Sequence, residues 1–458
     1  MIKILLINPQ MPFNASPQDS WIRLGLAHLS SVLKQDRTND VHLIDFRLIS
    51  GWDDFCGRVS KIYPDVVFIT AFTSEVENAI RAARVIKEIK PDTVIVVGGI
   101  HASIAPEDFQ KAGCFDFIMR GEGEITVPKI AAGFMELISQ ITTTPGARFP
   151  SVLWGETPDL DKIPFADREL WFDYRERTMH PPIWLREKPW VDILMVRGCP
   201  YRCKFCSGPG EQNHYTKVDS EGNRKPYIRG RSVQNVIDEL LVLDQKYHYK
   251  SIQFLDDQFI MNPAWAWDFM KALKEYGLDS KQWWAGSRAD VILRNKDLVL
   301  EMQRCGLDIM SVGFESFSDE LLRFWGKGTT VAQNFEAAQF LNDHGIRIFS
   351  NTIMGAPRPD TKWHIEDDWR NIEALKLIKP SFASWSIFTA VPGSELYQWC
   401  IDNNLTVAKN TGIRAADENK IKGISYRKIR VMMDEIDSCR RPWYHTMNDR
   451  LRALIEGD

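Results

Sequence analysis

Long apolar runs are absent from this 458-residue chain; none approaches the roughly eighteen residues that a membrane span needs, so no membrane insertion is expected. A strong charge of either sign is absent too. Lys and Arg number 57 against 61 Asp and Glu, the formal charge is −4 and the sequence pI is near 6.2, so nothing marks a nucleic-acid or membrane-surface partner. Cysteine is scarce at 8 residues, three of them crowded together, which argues against a disulfide framework. No targeting segment is visible: Met1-Ile-Lys-Ile leads directly into a strand pattern, and the expected location is the cytoplasm, whose reducing poise keeps thiols free. Hydrophobic residues, by contrast, make up 44% of the chain, enough for the cores of two or three domains. The 16 tryptophans are many for this length; core and pocket lining accounts for most, and several could flank a large planar ligand.

The densest chemistry lies in Cys199-Pro-Tyr-Arg-Cys203-Lys-Phe-Cys206, directly after the strand-like run Val191 to Val196. Three thiolates on one tight loop can hold three irons of a [4Fe-4S] cluster and leave the fourth iron without a protein ligand, open to a small molecule. The competing use is a structural zinc site, which needs a fourth ligand; the nearest is His214, in the Gly- and Pro-bearing loop beyond Cys206. The other cysteines, Cys56, Cys114, Cys305, Cys400 and Cys439, are scattered singly, and most read as small buried hydrophobes. The spacing C-x3-C-x2-C, with Phe205 just before the last cysteine, resembles the signature of the radical S-adenosylmethionine (SAM) superfamily. That resemblance implies that SAM chelates the open iron through its amino and carboxylate groups and that an electron from the cluster cleaves it to a 5′-deoxyadenosyl radical.

Residues 1–148 read as a flavodoxin-like, doubly wound α/β domain. Short apolar strands at Ile2 to Ile7, Val41 to Phe46, Val66 to Phe72, Val94 to Val97 and Phe115 to Met119 alternate with helical patterns. The helix from Val76 to Ile89 is expected to set Val76, Ile80, Ala83, Ile86 and Ile89 on one stripe. Ligands of such parallel sheets bind at the carboxyl ends of the strands. Those ends carry Asn8-Pro9-Gln10, Phe72-Thr73-Ser74-Glu75, Gly98-Gly99-Ile100-His101-Ala102-Ser103 and Arg120-Gly121-Glu122-Gly123-Glu124. Paired glycines let a ligand approach the backbone, and Ser74 is expected to open the helix that follows. Taken alone, this rim suits cobalamin, a flavin or nucleotide, or no ligand.

The G-G-x-H-A-S turn, a strand and then R-G-E-G-E, all ahead of the three-cysteine loop, resemble the N-terminal cobalamin-binding domain of the B12-dependent radical SAM family. The resemblance implies cobalamin contacts at Thr73, Ser74, Glu75, Gly98, Gly99, His101, Gly121 and Glu122. One departure is informative. Ordinary B12 domains carry Asp-x-His-x-x-Gly after the first strand, whose histidine ligates cobalt from below, but the loop from Asn8 to Ser20 has no histidine. Cobalamin is therefore expected base-off without histidine on its lower face, an arrangement that in this family favours reduced cobalt and methyl transfer. His101 is expected at the corrin edge or packed locally.

Residues 149–190, with Trp154, Trp171, Trp184 and Trp190 among prolines and charges, read as an ordered crossover. From Val191 the βα pattern resumes, with strands near 191–197, 251–256, 283–288, 308–315, 347–354 and 382–389; six units make a partial (β/α)6 barrel over residues 191–400. Residues 401–458 form a small, mainly helical region, with helical patterns at Arg427 to Ile436 and Met447 to Ile455. Barrel chemistry gathers at the carboxyl-terminal rim, where the cysteine loop lies. There the resemblance implies SAM contacts from Phe205, from Asp256 or Asp257 to the amino group, from Arg288 to the carboxylate, from Glu315 and Ser316 to the ribose, and from a turn at Gly355 to the adenine. The loop Ser207 to Gly230, with His214 and Tyr215, is expected either to close over the barrel mouth or to be a surface excursion.

Together the resemblance implies a C-methyltransferase that uses a [4Fe-4S] cluster, SAM and cobalamin, with an external electron donor of the flavodoxin or ferredoxin type. One SAM would load reduced cobalamin with methyl, and a second would yield the radical that takes hydrogen from an unactivated carbon of a small molecule or peptide. The same machinery would serve a cyclisation, ring contraction or rearrangement without methyl transfer. A third reading is a non-catalytic cobalamin or iron–sulfur binding protein; Asp256, Arg288 and Glu315 stand against it, because an electron carrier has no use for them around its cluster.

Overall fold

The computed structural model describes residues 1–15, 21–133, 151–208, 228–405 and 421–438. His214, Tyr215, Cys439 and the helical pattern at Met447 to Ile455 lie outside the described residues. Two compact units emerge, one built on Met1–Pro182 and one on Ile183–Pro209 together with residues from Tyr227 onward.

The first unit is a parallel sheet of β1 (Ile2–Asn8), β2 (Asn39–Asp45), β3 (Val66–Thr70), β4 (Val94–Gly98), β5 (Phe117–Arg120) and β6 (Ser151–Trp154), in the order β2-β1-β3-β4-β5-β6. Ile4, Leu5, Leu6 and Ile7 in β1 are all fully buried, because helices cover both faces of a parallel sheet. The five expected strands are present, shifted by a few residues at their ends. The sixth, β6, falls in the stretch read as a crossover; at four residues it is too short to announce itself, and Arg120 lies over its Trp154 ring at 4.2 Å.

In the helix Val76–Ile89 the fully buried line is Ala79, Ala82, Ala83 and Ile86, while Val76, Ile80 and Ile89 pack only partly against the core. Small alanines let the helix approach the sheet closely, so the deepest line is rotated from the bulky stripe that the pattern suggested. Part of the stretch read as a crossover packs on the first unit. Trp171 is 1% exposed and its indole N–H donates to Asp45 at 2.9 Å, while Asp45 also takes the Arg47 guanidinium at 2.7 Å. Asp167 accepts from Ser30 and Lys34, both at 2.6 Å.

The second unit carries a six-stranded parallel sheet of β7 (Trp190–Ile193), β10 (Ser251–Phe254), β11 (Gln282–Ser287), β12 (Leu307–Glu315), β13 (Arg347–Met354) and β14 (Phe382–Ile387), paired in chain order. This is the partial (β/α)6 barrel. Its first strand is shorter than expected, ending at Ile193; Val196–Arg197 (β8) leaves the sheet and pairs antiparallel with Arg229–Gly230 (β9). Of the carboxyl-terminal region, the helix Tyr426–Ser438 is seen, with Ile429, Met432 and Met433 packed against Met354, Ile372 and Leu375.

Replacing Trp171 with alanine removes a buried indole and one of the donors to Asp45. We expect a loss of about 3–5 kcal/mol, read as an earlier urea transition of the first unit. An unchanged transition would show that the crossover does not support that sheet.

Candidate functional site

The cysteine loop is set in place by one buried carboxylate. Asp256, just past the end of β10, accepts the N–H groups of Met195 at 3.1 Å and Val196 at 2.5 Å through Oδ1, so the chain turns out of β7 toward Cys199. Burial pushes this carboxyl up to about 7 despite those two donors, and its Oδ2 has no partner among the described residues. Beyond the turn the loop is clamped from two sides: Lys204 N–H donates to Trp325 O at 2.8 Å, and Leu396 N–H donates to Lys204 O at 2.9 Å. Phe205 packs edge-on against Trp325 at 5.4 Å.

Cys203 is buried, Cys199 half-buried and Cys206 exposed. Desolvation raises the thiols of Cys199 and Cys206, and the negative charge of Asp257 and of the neighbouring cysteines pushes the same way. The three sulfurs are therefore within electrostatic reach of one another and of Asp257. Among the described residues no three His, Cys, Asp or Glu side chains are grouped as a single metal ion requires.

Positive charge reaches the loop through Arg288. Its guanidinium lies 3.7 Å from Cys203 Sγ and 3.8 Å over the Tyr201 ring, while Nε donates to Asp290 at 2.9 Å and Nη2 donates to Lys327 O. The fork expected to be free for a carboxylate is thus largely committed to holding Cys203 and the Lys327 turn. Asp257, unlike Asp256, is exposed and faces the thiols. Glu315 closes β12 in a left-handed conformation (φ 63°) at a register shift and takes the Lys327 ammonium at 2.9 Å. Gly313 makes room for that pair, since a Cβ there would lie 2.5 Å from Glu315 Oε1 and 3.0 Å from Lys327 Nζ.

Two expected SAM residues are occupied by the fold. Ser316 is fully buried, its hydroxyl accepting from Ser318 N–H at 3.1 Å and lying 3.5 Å from Asn371. The space beside Gly355 (φ 72°) is filled by Ile429, and its N–H donates to Asp368 at 3.0 Å.

In the first unit the strand order reverses at β1, between β2 and β3, and the crevice beyond β1 and β3 is the switch point where such sheets bind ligands. Sequence reasoning missed its hub, Arg23. This guanidinium donates to Asn8 at 3.2 Å and Gln10 at 3.1 Å, forms an ion pair with Glu75 and lies 4.0 Å over the Phe72 ring. A cation at the N-cap of the helix Leu24–Leu33 opposes the helix dipole, which was the available signal that it serves another purpose. Lys327, also missed, is flanked by Gly326 and Gly328, both at positive φ.

Of the other candidates, Thr73 Oγ1 meets His101 Nδ1 at 3.0 Å, and His101 Nε2 meets Asp108 at 3.2 Å, so both ring nitrogens of this buried histidine are engaged. Burial lowers its pKa. Ser74 is exposed and caps nothing; Glu75 instead accepts the Phe72 N–H at 2.9 Å. A Cβ on Gly99 would lie 2.9 Å from the Ala71 backbone, so here the closest approach to the glycine is made by the fold itself, and Gly98 sits beside Met119. Gly121 N–H donates to Ser103 Oγ at 3.0 Å, tying its turn to the one after β4, and Glu122 lies in the same turn, half-buried.

Comparison with known proteins matches residues 12–131 to the B12 binding domain and residues 193–368 to the Radical SAM superfamily. An uncharacterized methyltransferase of Pyrococcus horikoshii is 30% identical, over 90% of this chain and 85% of that protein. The anaerobic magnesium-protoporphyrin IX monomethyl ester cyclase of Cereibacter sphaeroides is 26% identical over 87% of this chain; the chain spans 63% of that enzyme's length. The structure of TsrM from Kitasatospora setae, a radical S-adenosylmethionine methyltransferase with cobalamin and a [4Fe-4S] cluster bound, shares the fold with a TM-score of 0.66 at 14% identity, covering 96% of this chain and 90% of that one.

Two outcomes are expected from this geometry. Lys327→Met leaves Glu315, whose side chain is only 15% exposed, without its cation and should cost about 3–5 kcal/mol, measured by denaturation; a loss under about 1 kcal/mol would show that the pair is not structural. Asp368, 1% exposed, also accepts the Trp363 indole N–H at 2.7 Å, and burial pushes it up to about 7. The unfolded chain releases that proton near pH 4, so between about 4 and 7 the folded state holds the extra proton and stability falls as pH rises. Asp368→Asn should flatten part of that decline between pH 5 and 7, and an identical slope would contradict the assignment.

Proposed function

Because this chain belongs to the B12-dependent radical SAM family, a B12-binding domain followed by a radical SAM domain, we propose that it is a C-methyltransferase acting on an unactivated carbon of a small molecule or peptide. The observation that carries the proposal is the three-thiol loop held by Asp256, with the Arg288 guanidinium beside Cys203 and Asp257 exposed next to the loop. When bound, the family's cofactors supply reductive cleavage of SAM and a cobalt carrier for its methyl group.

The residues of this chain bind, orient and exclude water. We assign Cys199, Cys203 and Cys206 to the cluster; the donor set fits, being three thiols on one clamped loop with the Arg288 charge beside Cys203. Asp257 is assigned to the SAM amino group, since Asp256 is committed to the backbone; Phe205 and Glu315 face the rest of SAM. Asp256, Arg288, Ser316 and Gly355 shape that site by fixing the loop and strand ends. In the other unit, Thr73, Ser74, Glu75, Gly98, Gly99, Gly121 and Glu122 rim the cobalamin crevice. A base-off cofactor is supported by the engagement of both His101 nitrogens and by the lack of histidine after β1. The same reading assigns residues 1–148 to cobalamin, 149–190 to the crossover, 191–400 to the barrel and 401–458 to a helical closure, in a cytoplasmic setting with a flavodoxin- or ferredoxin-type donor.

Anaerobic reconstitution with titanium citrate or flavodoxin tests the assignment. With a methyl acceptor present, deoxyadenosine and S-adenosylhomocysteine should form together, and Cys203→Ala should abolish deoxyadenosine. Deoxyadenosine with a substrate-derived product that carries no new methyl would establish the rearrangement instead.

A further inference from the structure

One face of the barrel sheet has buried polar groups without a partner among the described residues. On β10 and β11, Phe254 and Trp283 meet at 5.4 Å and pack with Phe259 and with Phe269 of the covering helix Pro263–Glu275. Side chains alternate along a strand, so Gln253 and Trp284 point to the opposite, inner face. The two are register partners on neighbouring parallel strands, about 4.8 Å apart along the sheet. Gln253 is 1% exposed, and among the described residues neither its amide oxygen nor its amide nitrogen has a partner; nor does the buried indole N–H of Trp284.

The surroundings are flat and apolar. Trp284 stands edge-on to Phe349 at 6.4 Å, Phe349 stacks with Phe382 at 6.3 Å, and Trp184 meets Phe349 edge-on at 5.2 Å. Gln253 lies three residues before Asp256, so this wall belongs to the strand that fixes the cysteine loop. A glutamine buried with both halves unpaired is costly where leucine would pack as well, and sites built to hydrogen-bond a ligand have this form.

We propose that Gln253 and Trp284 are the substrate-recognition edge of the enzyme, taking a flat conjugated ring with a lactam edge, an N–H beside a C=O. The ring N–H donates to Gln253 Oε1. The ring carbonyl accepts from Gln253 Nε2 and, through its second lone pair, from the Trp284 indole. Phe349 and Phe382 offer the ring apolar surface. This inference rests on the methyltransferase reading and names the class of acceptor.

The test titrates the reconstituted full chain, labelled at the tryptophan indole nitrogens, with 2-quinolone and with naphthalene, a ring pair of similar size without the lactam. The Trp284 indole signal is identified as the one lost in Trp284→Phe. Saturable movement of that signal by 2-quinolone is expected, with binding at least tenfold weaker for naphthalene and at least tenfold weaker in Gln253→Leu and in the nearly isosteric Gln253→Glu. An unmoved signal, equal affinity in Gln253→Leu, or equal affinity for naphthalene would overturn the proposal. The binding readout requires no SAM cleavage, so absence of methylated product would sink the methyltransferase reading and leave this one standing. A methylated product with a fixed Trp284 signal would do the reverse.

Discussion

The contact on which the active centre depends is between one carboxylate and two backbone amides. Asp256 takes the N–H groups of Met195 and Val196 and thereby ends the first barrel strand early, turning the chain so that three cysteines follow on a loop instead of a ladder. Without that acceptor the two amides would be buried donors, and the geometry of Cys199 would be left to the flexibility of the segment. The same acid group is itself strained by burial, which is the cost of an anchor that no exposed side chain could provide.

Around that anchor the radical SAM unit is built as a series of committed charges. Arg288 reaches Cys203, Asp290 and the Lys327 carbonyl at once, and Lys327 in turn holds Glu315 at the bulged end of β12. Each group fixes the next, so the rim is organised before any ligand arrives, as catalysis by positioning requires. In the cobalamin unit a comparable hub exists at Arg23, which gathers the ends of β1 and β3 through Asn8, Gln10 and Glu75.

Much of this was legible in the sequence, and the remainder failed for physical reasons. Five of the first sheet's six strands could be read as short apolar runs between helical patterns, and the six barrel strands by the βα pattern that resumes after Val191, although β13 is buried only at every second residue; β6, four residues among prolines and charges, has no such pattern. The cysteine loop was legible because its spacing is chemistry as well as structure. Motif residues were harder: the partners that occupy Ser316, Gly355 and Gly99, namely Asn371, Ile429 and the Ala71 backbone, are distant in sequence. Lys327 was invisible for the same reason, and Arg23 showed only as a cation set against a helix dipole, since an isolated cation declares its role only when its carboxylate partner is seen. That Asp256 anchors the cysteine loop likewise required three dimensions, because only contact with Met195 and Val196 sets it apart from Asp257.

The central claim is that the loop from Cys199 to Cys206 holds a four-iron cluster with one iron left for SAM. Mössbauer spectroscopy of protein reconstituted with iron-57, recorded before and after adding SAM, tests it most directly. The account predicts that SAM shifts the signal of one iron site in four and leaves the other three unchanged; a spectrum indifferent to SAM, or a protein that takes up zinc and no iron, would contradict it.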